Sequence, residues 1–176
     1  MNTTTEWNNV CKNKANEILK EVVGDLSSLK GYIPIYEVIQ SYVGDVDIII
    51  SMDYKFPPGV SAFATKDMNL GWIIVVNGLE TTERQRFSAA HELGHIALIT
   101  NQPMKVFCSN EKESWHEKLC DRFAGDILMP DEMISGYYIS NPSPYLEDIA
   151  KAFKVSTQVA EIQLKRLGLS FKTAKV

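Results

Sequence analysis

Hydrophobic residues recur at helical spacing near the start of the chain. Over about residues 4–22 an apolar side chain returns every three or four positions, which predicts an amphipathic helix. The apolar positions are Trp7, Val10, Cys11, Ala15, Ile18, Leu19 and Val22. A second helix is predicted over about 34–43, with Pro34 in its first turn, where a missing backbone N–H is tolerated.

The pattern then becomes that of strands. Residues 46–52 and 71–77 are rich in β-branched side chains, and residues 60–65 alternate loosely between apolar and polar. Runs of this length and composition predict β-strands, and Asn77-Gly78 marks a turn after the third. We expect a small three-stranded sheet with the strand over 71–77 at an exposed edge.

Helical spacing returns in the rest of the chain. Thr81 or Thr82 is a good N-cap for a helix that should end near Ile99, and Glu83 in its first turn suits the helix dipole. The further predicted helices cover about 114–128, 131–138, 145–153 and 157–168. These elements predict an α+β fold, with one domain over 1–140 and a C-terminal helical segment over 141–176 packed on it.

The composition is that of a globular protein with little positive charge. Of the 176 residues, 45% are hydrophobic and 23% are charged, and the net charge is −4. This acidic balance argues against a chain whose main task is to bind nucleic-acid phosphates. The start of the chain has no apolar signal segment, and the apolar runs are far shorter than the roughly 20 residues that span a bilayer. We therefore expect a cytoplasmic protein without a membrane segment.

The pentapeptide at 91–95 indicates the chemistry. It reads His91-Glu92-Leu93-Gly94-His95 and uses two of the three histidines in the chain. Positions i and i+4 lie one turn apart on the same face of a helix, so both imidazoles can bind one Zn²⁺ with the Glu92 carboxylate beside them. The motif therefore predicts a zinc-dependent hydrolase.

Two histidines need a third ligand, because a catalytic zinc takes three protein ligands and keeps one position for water. Glu117 and Asp121 share a face of the helix predicted over 114–128. We expect Glu117 to be that ligand, and Asp121 to accept a hydrogen bond from the free ring N–H of a ligating histidine. Gly94 costs a helix about 1 kcal/mol relative to alanine, which indicates that a neighbouring backbone or a substrate approaches closely there.

These parts predict hydrolysis of a peptide bond. Zinc lowers the pKa of a water toward about 7, and Glu92 would accept its proton and return it to the leaving amine. An extended polypeptide could pair with the strand over 71–77 and cross the metal. The group that stabilises the oxyanion stays open among His116, Tyr137 and Tyr138, and a structural role is the simpler interpretation of His116. A small-amide hydrolase is a further possibility.

The three cysteines, Cys11, Cys108 and Cys120, exclude two other kinds of site. Their odd number and the absence of a C-x-x-C pair argue against a disulfide scaffold and against a four-cysteine zinc site. Reduced thiols, with Cys120 buried on its helix, are the simplest interpretation. The alternative is that one thiol binds the metal or acts as a redox handle.

Two segments resemble the ImmA/IrrE family of zinc metallo-endopeptidases. The sequence RQRFSAAHELGH at 84–95 is close to the family's RF-[ST]-x-AHELGH core, and 117–130 is close to its E-x-x-A-N-x-F-A-x-x-L-L-M-P pattern. The resemblance covers about 45–170. Cys120-Asp121 stands where the family usually has Ala-Asn, and an aspartate can accept a hydrogen bond as the asparagine does, although substrate selection could differ.

The resemblance implies a zincin-like metalloprotease domain, and it also implies which residues form the zinc site. His91, His95 and Glu117 are the implied zinc ligands, and Glu92 is the implied general base. Members of the family are intracellular proteases that cleave a helix-turn-helix transcriptional repressor. An anti-repressor role in mobile-element, prophage or stress regulation is therefore implied as well.

The C-terminal residues allow a different function. Residues 145–176 carry six Lys or Arg against three acidic residues, and the helices predicted over 145–153 and 157–168 have the spacing of a helix-turn-helix. The alternative is therefore a non-catalytic, zinc-stabilised regulator that binds a repressor or DNA. We favour packing of these helices against the catalytic domain, because the second helix has few side chains suited to base edges beyond Gln158 and Gln163.

Overall fold

The computed structural model describes residues 3–29, 31–99 and 115–173, and it confirms the α+β fold. The helices are α1 (Thr3–Val22), α2 (Ile35–Val43), α3 (Thr82–Ile99), α4 (Trp115–Leu128), α5 (Asp131–Ser140), α6 (Leu146–Phe153) and α7 (Thr157–Arg166). The strands are β1 (Val46–Ser51), β2 (Ala62–Asp67) and β3 (Gly71–Asn77), and a 3-10 turn at Leu26–Ser28 was not predicted. The expected start of α4 at Ser114, like Cys108, lies outside the described residues.

The sheet has the order β1-β3-β2, with β1 parallel and β2 antiparallel to β3. The expectation that the strand over 71–77 is an edge is wrong, because β3 is the central strand. Its composition gives the reason: Ile74, Val75 and Val76 are all buried, and apolar side chains at successive positions require cover on both faces of the sheet. The edges are β1 and β2. The strand β2 begins at Ala62, two residues later than the predicted start at residue 60.

The two helices of the HExxH region lie at the centre of the fold. α3 begins as predicted, since the Thr81 hydroxyl accepts a hydrogen bond from the backbone N–H of Arg84 at 3.3 Å. α3 contacts α2, β2 and β3, and it also contacts α4. The helix α4 packs in turn against α1. Ala89, Ala90 and Leu93 are fully buried in these contacts. α3 and α4 are therefore held between the sheet and α1.

The helix α1 is amphipathic, but not all of its apolar side chains are buried. Cys11, Ala15 and Ile18 are fully buried, whereas Trp7 and Val10 are 44% and 45% exposed. The Trp7 ring lies 5.1 Å from the ring of Trp115, at the first described residue of α4. Among the described residues, the contact between α1 and α4 therefore reaches at least from Ile18 to this pair of rings.

The C-terminal helices pack on the same core as the rest of the chain. Their buried apolar residues are Leu146, Ile149, Ala150, Phe153, Ala160 and Leu164. Between the two helices Lys154 has a φ of 52°, and the Ser156 hydroxyl caps α7 by accepting a hydrogen bond from Val159 N at 3.2 Å. The pair thus has a tight turn between two short helices, while a domain boundary after residue 140 stays a prediction. None of the described helices is long and apolar enough to cross a membrane.

Candidate metal centre

The two motif histidines point at each other from successive turns of α3. His91 Nε2 and His95 Nε2 are 3.1 Å apart. The side chains are well shielded, with 13% of His91 and 3% of His95 exposed. Nδ1 of His95 is buried and has no hydrogen-bond partner among the described residues. Two ring nitrogens that converge in this way are a suitable pair of metal donors.

α4 brings a carboxylate to the same point. Glu117 Oε2 lies 3.1 Å from His91 Nε2, and Glu117 Oε1 lies 3.5 Å from His95 Nε2. One turn further along α4, Asp121 Oδ1 accepts a hydrogen bond of 2.8 Å from Nδ1 of His91. A proton held on Nδ1 leaves the Nε2 lone pair of His91 directed at the other donors. The structure thus brings together all four side chains that the sequence assigned to the metal and its surroundings.

The electrostatics of this cluster favour a cation. Burial opposes the charged form of His91, but hydrogen bonds to Asp121 and Glu117 outweigh it and raise the pKa of His91 to about 9. Hydrogen bonds from His91 and His95 hold the pKa of Glu117 well below its usual range. Both shifts of pKa favour a positive charge among these donors. Two imidazoles and a carboxylate with this preference fit a divalent metal.

A second side chain competes for the position of third ligand. The donor atoms of His91, His95 and Cys120 all lie within 4.8 Å of one another. Cys120 is fully buried, and burial, followed by the nearby Glu117 and Glu92 carboxylates, raises the pKa of its thiol well above the usual range. Glu117 lines the open cleft described below, whereas Cys120 does not. A catalytic metal needs a position open to water, so the geometry favours Glu117 over Cys120.

Gly94 sets the distance between the two helices. A Cβ at this position would lie 3.1 Å from Phe123 Cδ1, 3.2 Å from Cys120 Cα and 3.3 Å from Cys120 Cβ. His91 contacts Asp121 and His95 contacts Glu117. α3 and α4 therefore run antiparallel, with the close approach at Gly94 beside the metal centre. The neighbouring backbone anticipated from the glycine is that of α4.

The metal centre lies in a cleft of about 680 Å³. One wall is the face of α3 that carries Arg84, Phe87, Ser88 and His91, and α4 supplies a second wall. The residues just before and at the start of β2, and the exposed side of α7, complete the cleft. Glu92 also lines it, with only 2% of the residue exposed. A carboxylate shielded from bulk water beside the two histidines is suited to exchange a proton within the cleft.

Sequence reasoning missed a buried carboxylate, Asp126, which is 3% exposed. Arg122 donates a hydrogen bond of 2.9 Å to its Oδ2, and Arg166 on α7 donates one of 2.7 Å to its Oδ1. Gln163 on α7 adds a longer contact of 3.4 Å. The spacing of Arg122 and Asp126, four residues apart on one helix, was the available signal. This cluster ties α7 to α4 and so fixes one side of the cleft.

None of the three candidates for stabilising the oxyanion lies among the described residues that line the cleft. The Tyr138 hydroxyl donates a hydrogen bond to the Ser170 carbonyl oxygen at 3.0 Å, and the Tyr137 ring lies 6.0 Å from Phe153. His116 stacks on Trp115 with the ring centres 3.7 Å apart. These contacts fit structural roles for all three side chains.

Comparison with known proteins agrees with the site and the fold. The family model described as the IrrE N-terminal-like domain matches residues 52–165. The radiation response metalloprotease IrrE of Deinococcus radiodurans is 33% identical over 92 residues, which cover 44% of this chain and 28% of that protein. A Mycobacterium tuberculosis transcriptional regulator of known structure matches with a TM-score of 0.59 at 16% identity, over 89% of this chain and 46% of that one. The latter likeness concerns the fold alone.

The chain therefore spans less than half the length of either relative. The family match nevertheless covers well over half of the chain and includes both helices of the metal centre. A metalloprotease domain of this kind implies a divalent metal. Both the resemblance and the zincin-like fold expected from the sequence are confirmed: the chain belongs to the ImmA/IrrE family, and residues 52–165 match its IrrE-like metalloprotease domain.

Proposed function

We propose that the chain is a zinc-dependent endopeptidase that hydrolyses a peptide bond in a partner protein. In this proposal His91, His95 and Glu117 hold the zinc, and Asp121 orients the ring of His91. The observation that carries it is the convergence of two Nε2 atoms and one carboxylate within 3.5 Å, at the wall of an open cleft. Two histidines and a glutamate are a common ligand set of catalytic zinc.

Glu92 is the proposed general base and acid. When bound, zinc supplies a Lewis acid that polarises the scissile carbonyl and lowers the pKa of a water. The Glu92 carboxylate accepts the proton of the attacking water and passes it to the nitrogen of the leaving amine. Because 98% of the residue is shielded from solvent, this proton stays within the cleft rather than exchanging with bulk water. With the metal held at Nε2 of His91, the hydrogen bond to Asp121 would keep the remaining ring proton of His91 on Nδ1.

The cleft offers an edge strand to an extended segment of the substrate. β2 is an edge strand, and the residues leading into it line the cleft beside the metal centre. The backbone of an edge strand can pair with an added strand. We therefore propose that the substrate pairs with β2 and not with the strand over 71–77.

The proposed partner is a helix-turn-helix transcriptional repressor, cleaved in the cytoplasm to relieve repression. This part of the proposal rests on membership of the ImmA/IrrE family. The response to radiation named for the Deinococcus relative is an example of the stress regulation that such cleavage would serve. A mobile-element or prophage repressor is an equally suitable substrate.

The test compares the wild type with Glu92→Gln in the native host, by mass spectrometry of newly formed protein N-termini. We expect wild-type cells to gain one or a few cleavage sites, and Glu92→Gln to reduce their formation by at least about 10²-fold, the lower range for general acid–base catalysis. Glu83→Gln is the matched control, since Glu83 lines the same cleft from the first turn of α3. Both variants should retain one zinc per chain.

Two results would contradict the proposal. Undiminished cleavage by Glu92→Gln would exclude Glu92 as the general base. Normal gene regulation by Glu92→Gln, without any cleavage, would instead favour the non-catalytic regulator.

A further inference from the structure

One face of α7 forms a wall of the cleft. Val159, Ile162, Gln163 and Arg166 all line it, and their spacing of three and four residues places them on one side of the helix. In a DNA-binding helix-turn-helix this second helix would enter a major groove. Here the corresponding surface faces the metal centre's own cleft. The helix-turn-helix pattern at the end of the chain therefore calls for another explanation.

α7 is held firmly in this position. Arg166 and Gln163 both contact the buried Asp126 on α4, the arginine at 2.7 Å and the glutamine at 3.4 Å. Gly125 leaves just enough space for the Gln163 amide, since a Cβ there would lie 3.0 Å from Nε2 of that side chain. Polar groups of α7 are thus used to fix the wall, and its apolar side chains remain for contact with a ligand.

The part of the wall left open is apolar. Ile162 is 52% exposed although it lies in a cleft. Val159 lies one turn before it, and Phe87 on α3 and Val60 before β2 line the same cleft. Contact with an apolar side chain would remove this surface from water, which is favourable.

The length of α4 gives the distance from this wall to the metal centre. Gly125, which contacts α7, comes eight residues after Glu117 on the same helix, a rise of about 12 Å. An extended peptide advances about 3.3 Å per residue. Phe87 on α3 comes one turn, about 6 Å, before the ligand His91. The wall therefore meets a substrate side chain about two to four residues from the scissile bond.

We propose that Val159 and Ile162 of α7, with Phe87, form a subsite that selects an apolar side chain about two to four residues from the cleaved bond. This inference rests on the proposed endopeptidase function and names a feature of its substrate. The C-terminal helix pair thereby contributes to recognition of the substrate protein rather than of DNA.

The test uses the zinc-loaded full chain and a library of peptides from a digested proteome, with cleavage sites identified by mass spectrometry. We expect the wild type to enrich apolar residues at one position two to four residues from the cleaved bond. Ile162→Lys should reduce that preference at least about tenfold and favour Asp or Glu at the same position. Ile139→Lys is the matched control, because Ile139 is 85% exposed on α5 and lies outside the lining of the cleft.

The outcomes separate this inference from the function on which it rests. Cleavage that depends on Glu92 but has the same sequence profile in Ile162→Lys as in the wild type would overturn the subsite alone. Salt-sensitive binding of duplex DNA that Ile162→Lys does not alter and Gln158→Ala abolishes would also overturn it, because α7 would then read DNA. The absence of any cleavage that depends on Glu92 would overturn the proposed function and the subsite together.

Discussion

Replacing Gly94 by alanine should weaken metal binding without unfolding the protein. The added Cβ would lie 3.1–3.3 Å from atoms of Phe123 and Cys120, and one of these atoms is the Cα of Cys120. A backbone atom cannot rotate away as the end of a side chain can. The two helices must therefore separate slightly, and these are the helices that carry His91, His95 and Glu117.

The size of the effect follows from these distances. Carbon atoms pack best at about 3.5–4.0 Å, so restoring ordinary contact at Cys120 requires a separation of about 0.4 Å. Metal–ligand distances tolerate only about 0.2 Å. We therefore expect zinc affinity to fall at least about tenfold, in the range found when the support of a metal ligand is lost. For the metal-free protein, the better helix propensity of alanine contributes about 1 kcal/mol. Overpacking costs about 1–3 kcal/mol, so net destabilisation is about 0–2 kcal/mol.

Gly136→Ala is the matched control for this measurement. Gly136 lies in α5, and a Cβ there meets no atom within 4 Å. This variant should gain about 1 kcal/mol of stability from helix propensity and bind zinc as the wild type does. Zinc affinity is measured by competition with a chromophoric chelator, and the free energy of unfolding by urea titration of the metal-free proteins. Gly94→Ala with unchanged zinc affinity and a gain in stability like that of Gly136→Ala would refute the reasoning.

Three further predictions concern the ligands and the thiols. Asp121→Ala should weaken zinc binding by about 10–100-fold, because His91 loses the partner that orients its ring; unaltered affinity in chelator competition would exclude this role. Glu117→Ala should lose zinc in metal analysis of the purified protein, whereas Cys120→Ala should retain it; the opposite result would make the thiol the third ligand. Burial raises the pKa of Cys11 to about 11 from 9.0. Its thiol therefore stays protonated at pH 8, where the thiolate fraction is about 100-fold lower than for an unshifted cysteine. Alkylation of Cys11 by iodoacetamide, followed by peptide mass spectrometry, should be slower by at least that factor until urea is added, and equal rates with and without urea would contradict this.

Local patterns were sufficient for the helices and for the donors that they carry. A spacing of four residues places His91 and His95 on one face of any helix, and the same spacing relates Glu117 to Asp121. α4 has an apolar face that could be read from the spacing of its residues, whereas α3 was indicated by its N-cap and by the motif that it carries. The glycine between the histidines even indicated that a neighbouring backbone or a substrate approaches there, because a helix interior tolerates glycine poorly without such a need.

The order of strands and the use of the C-terminal helices could not be read in this way. The sequence of a strand such as that over 71–77 does not show whether it lies at the edge or in the centre of the sheet. Its position depends on which other strands pair with it. In the sequence, nothing distinguishes Asp126 from an exposed acidic residue that lies four positions after an arginine on a helix. Only the docking of α7 shows that it is buried between Arg122 and Arg166.

By itself the sequence determined the helices, the approximate positions of the strands and the set of side chains suited to hold a metal. These properties depend on neighbours within about one or two turns of a helix, and such neighbours are fixed by the chain itself. Only the tertiary structure decided that Glu117 meets the two histidines, that β2 rather than β3 lies at the edge, and that α7 closes the cleft. Each of these depends on contacts between residues far apart in the chain, where packing of whole elements, and not local spacing, sets the distances.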